Sequence, residues 1–361
     1  MMELNVRDYG SIRVAEIDCS DCSEMQTLNS PDCRQCILES LGGEDVVDWV
    51  ILKRAYRHVY TSPNLSKLAK ALAILDPMIH DEAHYSPKEE KKKCEKCVKS
   101  RMKKLTSIWP EIIRNPHDLS ALDELAEKEA ERGGEACSEC SEKNFLSLLE
   151  RIKSSLNSVP SYQDLDDSNY DEVFEARVMP FFVEGVWSPP KHETSLLDSY
   201  SLPDDRGKVN VYEQKGRPLP FYELELPELN LSSEKVRLLY EAYNLEYTAA
   251  PGHARFARPS RLLSFSEDWY NTLLHMVRER EDVRVSAGEL RKLATWMANW
   301  LTYRALEPLS RDENITDIYI TAPPEKKPIT ITHEKWGTCE TGINLTTPTL
   351  IGLGEILSSR Q

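Results

Sequence analysis

Eight of the nine cysteines in this sequence fall into four C-x-x-C pairs, a spacing typical of metal ligands or of redox dithiols. A C-x-x-C turn directs two sulfur atoms toward one point, so two such turns complete a tetrahedral shell of four thiolates around zinc. Cys339 stands outside this pattern. The candidate metal ligands are Cys19, Cys22, Cys33, Cys36, Cys94, Cys97, Cys137 and Cys140.

The distances between the pairs predict two zinc sites. The first two pairs are separated by ten residues, and the last two by 39 residues, which is room for a helical hairpin. Four thiolates leave no open position for water on the metal, so both sites should be structural rather than catalytic. An iron–sulfur cluster takes the same ligands and stays open as an alternative. A redox dithiol is disfavoured because the βαβ pattern that accompanies such motifs is missing.

The sequence shows no catalytic motif. A G-x-x-x-x-G-K-[ST] phosphate loop does not occur, so the DEAH tetrapeptide at residues 81–84 is a chance match to a helicase box. Neither a Ser–His–Asp set nor a Cys–His nucleophile nor a zinc-protease motif can be identified. We therefore expect no catalytic residue in this chain, and nucleotide-binding residues are not identified.

The charge of the chain argues against nucleic acid as a partner. The sequence has 361 residues and a formal net charge of −15, which does not favour binding to phosphate backbones or anionic membranes. Residues 88–104 nevertheless carry nine Lys or Arg against three Glu beside a C-x-x-C pair. A zinc-ribbon nucleic-acid-binding protein is therefore the alternative interpretation. A solvated helix face is preferred, because the run contains no aromatic side chain on which a base would stack.

Two observations on the sequence predict a location in the cytosol. No apolar run approaches the roughly 20 residues that span a bilayer. The N-terminus lacks the basic and then apolar pattern of a signal peptide.

The patterning predicts an α+β protein whose N-terminal domain, residues 1–157, is cysteine-rich, mostly helical and zinc-binding. A short strand is expected at 11–17. Apolar residues at helical spacing predict a helix over residues 45–60. Further helices are expected at 66–75, 87–109, 119–131 and 144–156.

A polar, turn-rich linker is predicted at 158–170, and a mixed sheet-and-helix region follows it. Residues 171–265 should form a small antiparallel sheet, with a hairpin over 208–226, and a helix. Residues 266–361 should hold two long helices, two strands and the start of a further helix. The expected segments of this last region are 266–279, 287–306, 315–320, 329–333 and a helix start at Pro348.

Residues 293–345 carry a family resemblance. They read LATWMANWLTYRALEPLSRDENITDIYITAPPEKKPITITHEKWGTCETGINL. A long helix, an E-P-L turn at Glu307, an acidic residue at Asp312 and an H-x-x-x-G turn from His333 to Gly337 follow in this order. Upstream lie the short motifs VNVYE (209–213), PFY (220–222) and PEL (227–229). This arrangement resembles the region that precedes the motor of type II/IV secretion ATPases (GspE-like), especially the archaeal branch.

The resemblance covers about residues 170–361 and implies a docking and regulatory function. In the family a RecA-like domain carries the Walker loop, binds ATP and Mg²⁺, and assembles as a hexamer. Its movement against the N-terminal domain drives pilus, archaellum or secretion machinery through a platform protein at the cytoplasmic membrane. The resemblance thus implies three partners, namely a motor domain, further copies of this chain and a membrane platform protein, and a location at the cytoplasmic face.

The sequence stops before any motif of the motor. We expect it to be a fragment, a truncated reading frame or one half of a split pair, and not to hydrolyse ATP alone.

Overall fold

The computed structural model describes residues 3–23, 26–54, 56–85, 91–131, 141–190, 192–249, 262–280 and 284–358. Helices and several β-sheets coexist, so the predicted mixture of α and β structure is confirmed. The chain divides into two compact units. The first unit comprises residues 1–6, 14–52 and 58–176, and the second comprises residues 7–13, 53–57 and 177–361.

One sheet contains five strands in chain order. They are β1 (Leu4–Tyr9), β2 (Ile12–Asp18), β3 (Trp49–Lys53), β4 (Arg57–Tyr60) and β5 (Ala176–Met179). The strand predicted at 11–17 is confirmed by β2, whereas the helix predicted over 45–60 is wrong. Val50, Ile51 and Leu52 are consecutive and all buried, which is the pattern of a strand covered on both faces. A short apolar run cannot be assigned by periodicity alone, and the β-branched residues favour the strand.

Within the described residues, six α-helices accompany this sheet. They are α1 (Pro31–Gly42), α2 (Asn64–His80), α3 (Lys91–Arg114), α4 (Ser120–Ala130), α5 (Ser147–Asn157) and α6 (Tyr170–Val173). Pro31 occupies the first turn of α1, where its missing N–H costs no helical hydrogen bond. At the other end of α1, a Cβ on Gly42 would lie 2.8 Å from the Ala73 Cβ, so glycine permits the close approach of α1 to α2. Residues 158–170, predicted as a linker, contribute Val159, Tyr162 and Leu165 to the hydrophobic core of this unit.

The second unit is built on a six-stranded sheet of order β10-β11-β12-β9-β8-β7. Its strands are β7 (Thr194–Ser201), β8 (Lys208–Gln214), β9 (Phe221–Glu225), β10 (Ile315–Tyr319), β11 (Thr330–His333) and β12 (Gly337–Thr341). All neighbours are antiparallel except β9 and β12, which are parallel and pair Phe221 with Glu340. This one parallel contact brings two distant segments of the chain side by side. The predicted hairpin and the two predicted C-terminal strands are confirmed.

In the described part of the second unit, two short strands and four α-helices complete the regular structure, beside several 3-10 turns. The strands β6 (Val186–Trp187) and β13 (Ile343–Asn344) pair with each other. The helices are α7 (Ser233–Ala249), α8 (Leu262–Arg278), α9 (Ala287–Tyr303) and α10 (Thr347–Ser358). Ser286 caps α9 by accepting the Glu289 N–H at 3.2 Å. As its apolar pattern predicts, α9 buries Leu293, Met297 and Trp300 in the core.

Among the described helices, none combines the length and the apolar character needed to cross a bilayer.

Candidate functional sites

The structure brings the first four predicted zinc ligands into one neighbourhood of the first unit. Cys19 directly follows β2, and the Cys22 N–H donates to the Cys19 carbonyl at 3.1 Å, which closes the first C-x-x-C turn. The second pair, Cys33 and Cys36, lies in the first two turns of α1. Cys19 and Cys33 are buried, and the other two thiols are half-buried. We call these four residues the thiol cluster.

Burial and the neighbouring thiols act together on the pKa of Cys33. Burial raises the pKa of the Cys33 thiol to about 12, and a hydrogen bond from the Thr27 N–H acts against this rise. Three neighbouring thiols raise the same pKa further, namely Cys19, Cys22 and Cys36. A thiolate is therefore unfavourable at Cys33 unless a cation compensates it, which is what a bound metal ion does. In its donor chemistry the thiol cluster fits zinc.

The side-chain positions themselves do not form a finished metal site. Over the residues that the structure describes, no group of three or more His, Cys, Asp or Glu side chains is arranged to hold a metal ion. Zinc at the thiol cluster accordingly stays a prediction.

Only part of the second predicted zinc site can be placed. Cys97 is half-buried on α3, Cys94 lies on the same helix with a side chain outside the description, and Cys137 and Cys140 lie outside the described residues. One turn after Cys97, the Arg101 Nε donates to Glu129 of α4 at 2.7 Å. This ion pair is buried. It joins α3, which carries Cys94 and Cys97, to α4, which precedes Cys137 in the sequence.

The second unit holds a buried ionic network that the sequence did not reveal. Arg311 donates through Nε to Glu307 at 2.9 Å and through Nη2 to Glu228. Trp300 of α9 donates its indole N–H to the same Glu228 oxygen at 2.9 Å. The Arg311 and Glu228 side chains are 2% and 0% exposed. Because all three charged groups are buried, each is stable only with its partners present. We call Arg311, Glu307, Glu228 and Trp300 the arginine network.

Asp312, the next residue, is the centre of a second polar cluster. Its Oδ2 accepts the hydroxyls of Tyr200 and Tyr222, the latter at 2.9 Å. Its Oδ1 accepts the backbone N–H and the side-chain amide of Asn314 at 3.0 and 2.9 Å. With His333, these residues form what we call the aspartate network. Four donors occupy the carboxylate, so Asp312 has no accepting position left for a substrate proton.

The tautomer of His333 follows from its partners. The Lys335 N–H donates to His333 Nδ1 at 3.1 Å, so a neutral ring carries its hydrogen on Nε2. That N–H faces the Tyr200 oxygen at 2.9 Å, while the Tyr200 hydroxyl donates to Asp312. The turn that returns the chain after His333 ends at Gly337, whose φ of +66° favours glycine. The H-x-x-x-G motif thus forms a hairpin turn in which the backbone N–H of Lys335 fixes the orientation of the His333 ring.

The pKa directions give the protonation states of His333, Tyr200 and Tyr222 at neutral pH. Burial lowers the pKa of His333 and raises the pKa of both tyrosines, Tyr200 and Tyr222. The imidazole is then neutral and both hydroxyls are protonated. In these protonation states the cluster is held together by neutral hydrogen-bond partners around the Asp312 carboxylate.

A measurable consequence is an acid-sensitive second unit. The folded pKa of His333 lies below its usual value of 6.5, so the unfolded chain binds more protons as the pH falls through 6.5. The contribution of the neutral His333 ring to stability is therefore fully present above pH 6.5 and is lost as the pH falls toward the lower folded pKa. We expect His333→Gln to flatten the dependence of the urea midpoint on pH between 6.5 and 5.

A surface histidine provides the control for this prediction. His275→Gln removes an imidazole with a 71% exposed side chain and should leave the slope unchanged. Burial also lowers the pKa of His58 in the first unit, so this histidine adds its own pH dependence to global unfolding. Hydrogen exchange in peptides of the second unit therefore reports the effect of His333 separately. An unchanged slope in the His333 variant would contradict the assignment of a neutral buried ring.

The residues that carry the family resemblance converge in these two networks. Glu228, Glu307, Asp312 and His333 all belong to quoted motifs, and Tyr222 belongs to the PFY motif. Sequence reasoning missed Arg311 and Tyr200. The i, i+4 spacing of Glu307 and Arg311 was the available signal for the former.

No protein-family model matches the chain, and no curated protein matches it either.

Proposed function

We propose that this chain is the N-terminal docking and regulatory region of a type II/IV secretion ATPase. It would couple the ATP-driven motion of a RecA-like motor domain to the assembly machinery at the membrane. One observation carries the proposal. Arg311 donates hydrogen bonds to Glu228 of the PEL motif and to Glu307 of the EPL motif. Two segments singled out by resemblance alone thus meet in one buried ionic contact.

The aspartate network is a second place where residues of different motifs contact one another. Asp312 from the stretch after the EPL motif receives a hydrogen bond from Tyr222 of the PFY motif, and Tyr200 links it to His333. Buried charges are costly without their partners, so these residues depend on one another for stability. Mutual dependence is a physical reason for the motifs to occur together in a family of domains, and it supports membership of this chain in that family.

The arrangement favours a docking role over a catalytic one. The Asp312 carboxylate is saturated with internal hydrogen bonds, and no phosphate-binding loop occurs in the sequence. ATP and Mg²⁺ would act only through the motor domain. With a net charge of −15, contact with an anionic membrane would go through the platform protein rather than through lipid headgroups. Assembly into a hexamer would follow that of the motor.

Zinc forms part of this proposal as a structural staple. The thiol cluster would hold one ion between the end of β2 and the start of α1, and the second set of cysteines would hold another. Bound zinc would join segments that otherwise depend on local packing, and its binding free energy would add to the stability of the fold.

The function is tested with a purified RecA-like motor domain of a type II/IV secretion ATPase. Adding the chain should change the ATPase rate of the motor in a saturable manner, while the chain alone hydrolyses no ATP. Arg311→Met, which should unfold the second unit, is expected to abolish the effect. Arg291→Met removes an exposed arginine that pairs with Glu267 and should retain it. A motor rate that is unaffected by the wild-type chain would overturn the proposal.

A further inference from the structure

A cavity rich in basic side chains lies on the second unit, where β8 ends and β9 begins and beside the last residues of β12. Every residue that lines it belongs to this unit, and its volume is about 340 Å³. Small-molecule sites begin at about this size. The basic side chains on its wall are His192, Arg217, Lys326 and Lys327, and the acidic one is Glu340. We call the cavity lined by these five residues the basic pocket.

The fixed positive charges of the basic pocket are not neutralised by neighbouring acids. In the part of the chain that the structure describes, Arg217, Lys326 and Lys327 form no ion pair with an Asp or Glu side chain. Glu340 supplies the one carboxylate among the described lining residues, so three cations against one carboxylate leave an excess of two positive charges. A chain with a formal net charge of −15 thus carries a pocket of the opposite charge. Such a pocket attracts small anions from solution.

The turn that carries the two lysines is fixed by its backbone. The Pro323 carbonyl accepts the N–H groups of both lysines at 3.1 Å. The Glu325 carbonyl accepts the Gly10 N–H at 2.7 Å and the Asn344 side-chain amide at 3.1 Å. The Glu325 carboxylate accepts the Thr347 N–H at 2.6 Å, so this acid is occupied at the start of α10. A ligand therefore meets a preformed turn and orders only the lysine side chains, which limits the entropic cost of binding.

The third cation of the basic pocket is oriented by a histidine. The Arg217 Nε donates to His192 Nε2 at 3.1 Å. This bond uses one of the five N–H donors of the guanidinium, and the described residues take up none of the other four. Two parallel N–H groups of a guanidinium match two oxygens of a phosphate group. Arg217 is thus held by its Nε while its terminal nitrogens stay available to an oxyanion.

From this charge and geometry we propose that the basic pocket binds the phosphate group of a small phosphate monoester. Such a group carries about −1.5 to −2 charges at pH 7 and three accepting oxygens, which matches the two excess positive charges and the donors of the pocket. The negative charge of the rest of the chain disfavours a long polyanion and therefore favours a small ligand. This inference concerns the chain by itself and does not rest on the proposed docking function.

The test is isothermal titration calorimetry of the full chain at low ionic strength with ribose 5-phosphate, inorganic phosphate and ribose. Ribose 5-phosphate should bind and ribose should not, and added salt should weaken the binding because the charges on the pocket wall are exposed to solvent. Tighter binding of ribose 5-phosphate than of inorganic phosphate supports an esterified ligand. Absence of heat with both phosphate compounds would overturn the site, and equal affinity for the two would overturn the preference for an ester.

Variants of the pocket wall separate a site from a general effect of charge. Arg217→Gln should weaken the binding of ribose 5-phosphate by about tenfold, the lower end of the effect of losing a hydrogen bond to a charged group. Lys215→Gln is the matched control, because it removes the same charge two residues away. Its amine pairs with Glu193 at 2.7 Å and does not line the basic pocket, so the affinity should not change. Equal losses in the two variants would contradict the proposal.

Glu340→Gln supplies a readout that a structural defect would not produce. Removing the carboxylate from the pocket wall should tighten the binding of ribose 5-phosphate severalfold, since it removes a charge of the same sign as the ligand. Partial unfolding of a variant can only weaken binding. Tighter binding by Glu340→Gln together with weaker binding by Arg217→Gln therefore supports the phosphate site, whereas weaker binding by Glu340→Gln would overturn it.

Discussion

Arg311→Met is expected to lower the free energy of unfolding of the second unit by about 3–5 kcal/mol. The variant leaves Glu228 and Glu307 buried without their cation, and their side chains are 0% and 3% exposed. Burial already raises the pKa of Glu307, and Arg311 counteracts that rise. Without the arginine, Glu307 must take up a proton or the unit must open.

Urea unfolding followed by hydrogen exchange in peptides of α9 measures this loss, because Trp300 of α9 contacts the same network. Arg291→Met, whose ion pair with Glu267 is more than half exposed, should change the free energy by less than about 0.5 kcal/mol. Replacing Glu228, Glu307 and Arg311 together by Leu, Leu and Met should recover most of the stability, since it removes every buried charge. A single Arg311 variant as stable as wild type would show that the network is not energetically coupled.

Removal of zinc is expected to destabilise the first unit by about 4 kcal/mol when free zinc stands at about 1,000 times its dissociation constant. Cys33→Ser should abolish binding at the thiol cluster and give a similar loss, because Cys33 is the buried thiol at the start of α1 and a predicted ligand. The measurement is zinc per chain by elemental mass spectrometry, combined with urea unfolding with and without chelator.

Cys339→Ser is the matched control for the zinc prediction. Cys339 is buried in β12 of the second unit and lies outside the C-x-x-C pattern, so its loss should leave the zinc content unchanged. Stability of the first unit that does not respond to chelator or to Cys33→Ser would contradict a metal staple at the thiol cluster.

Local patterns predicted much of the fold. The helix α9 and the hairpin β8–β9 carry clear periodicity, a capping residue or turn residues, and each was found close to its expected bounds. The failure at β3 and β4 has a local cause as well. The run Val50-Ile51-Leu52 has neither helical nor alternating periodicity because the strand is buried on both faces, and an isolated window cannot distinguish the two.

The candidate sites were predictable only where spacing encodes them. The thiol cluster follows from the C-x-x-C pairs, because a turn of fixed length brings its two cysteines together. Tyr222 reaches Asp312 only because β9 lies beside β12. Such contacts depend on strand order, which no local window contains. The second set of cysteines, with Cys137 and Cys140 outside the described residues, stays a prediction.

The most direct test of the docking function is binding between this chain and a purified RecA-like motor domain of a type II/IV secretion ATPase, measured by sedimentation with both proteins at known concentration. The proposal predicts a stoichiometric complex that an unrelated RecA-like motor does not form and that Arg311→Met abolishes. A chain that is folded and zinc-loaded, yet sediments independently of the motor with and without ATP, would contradict it.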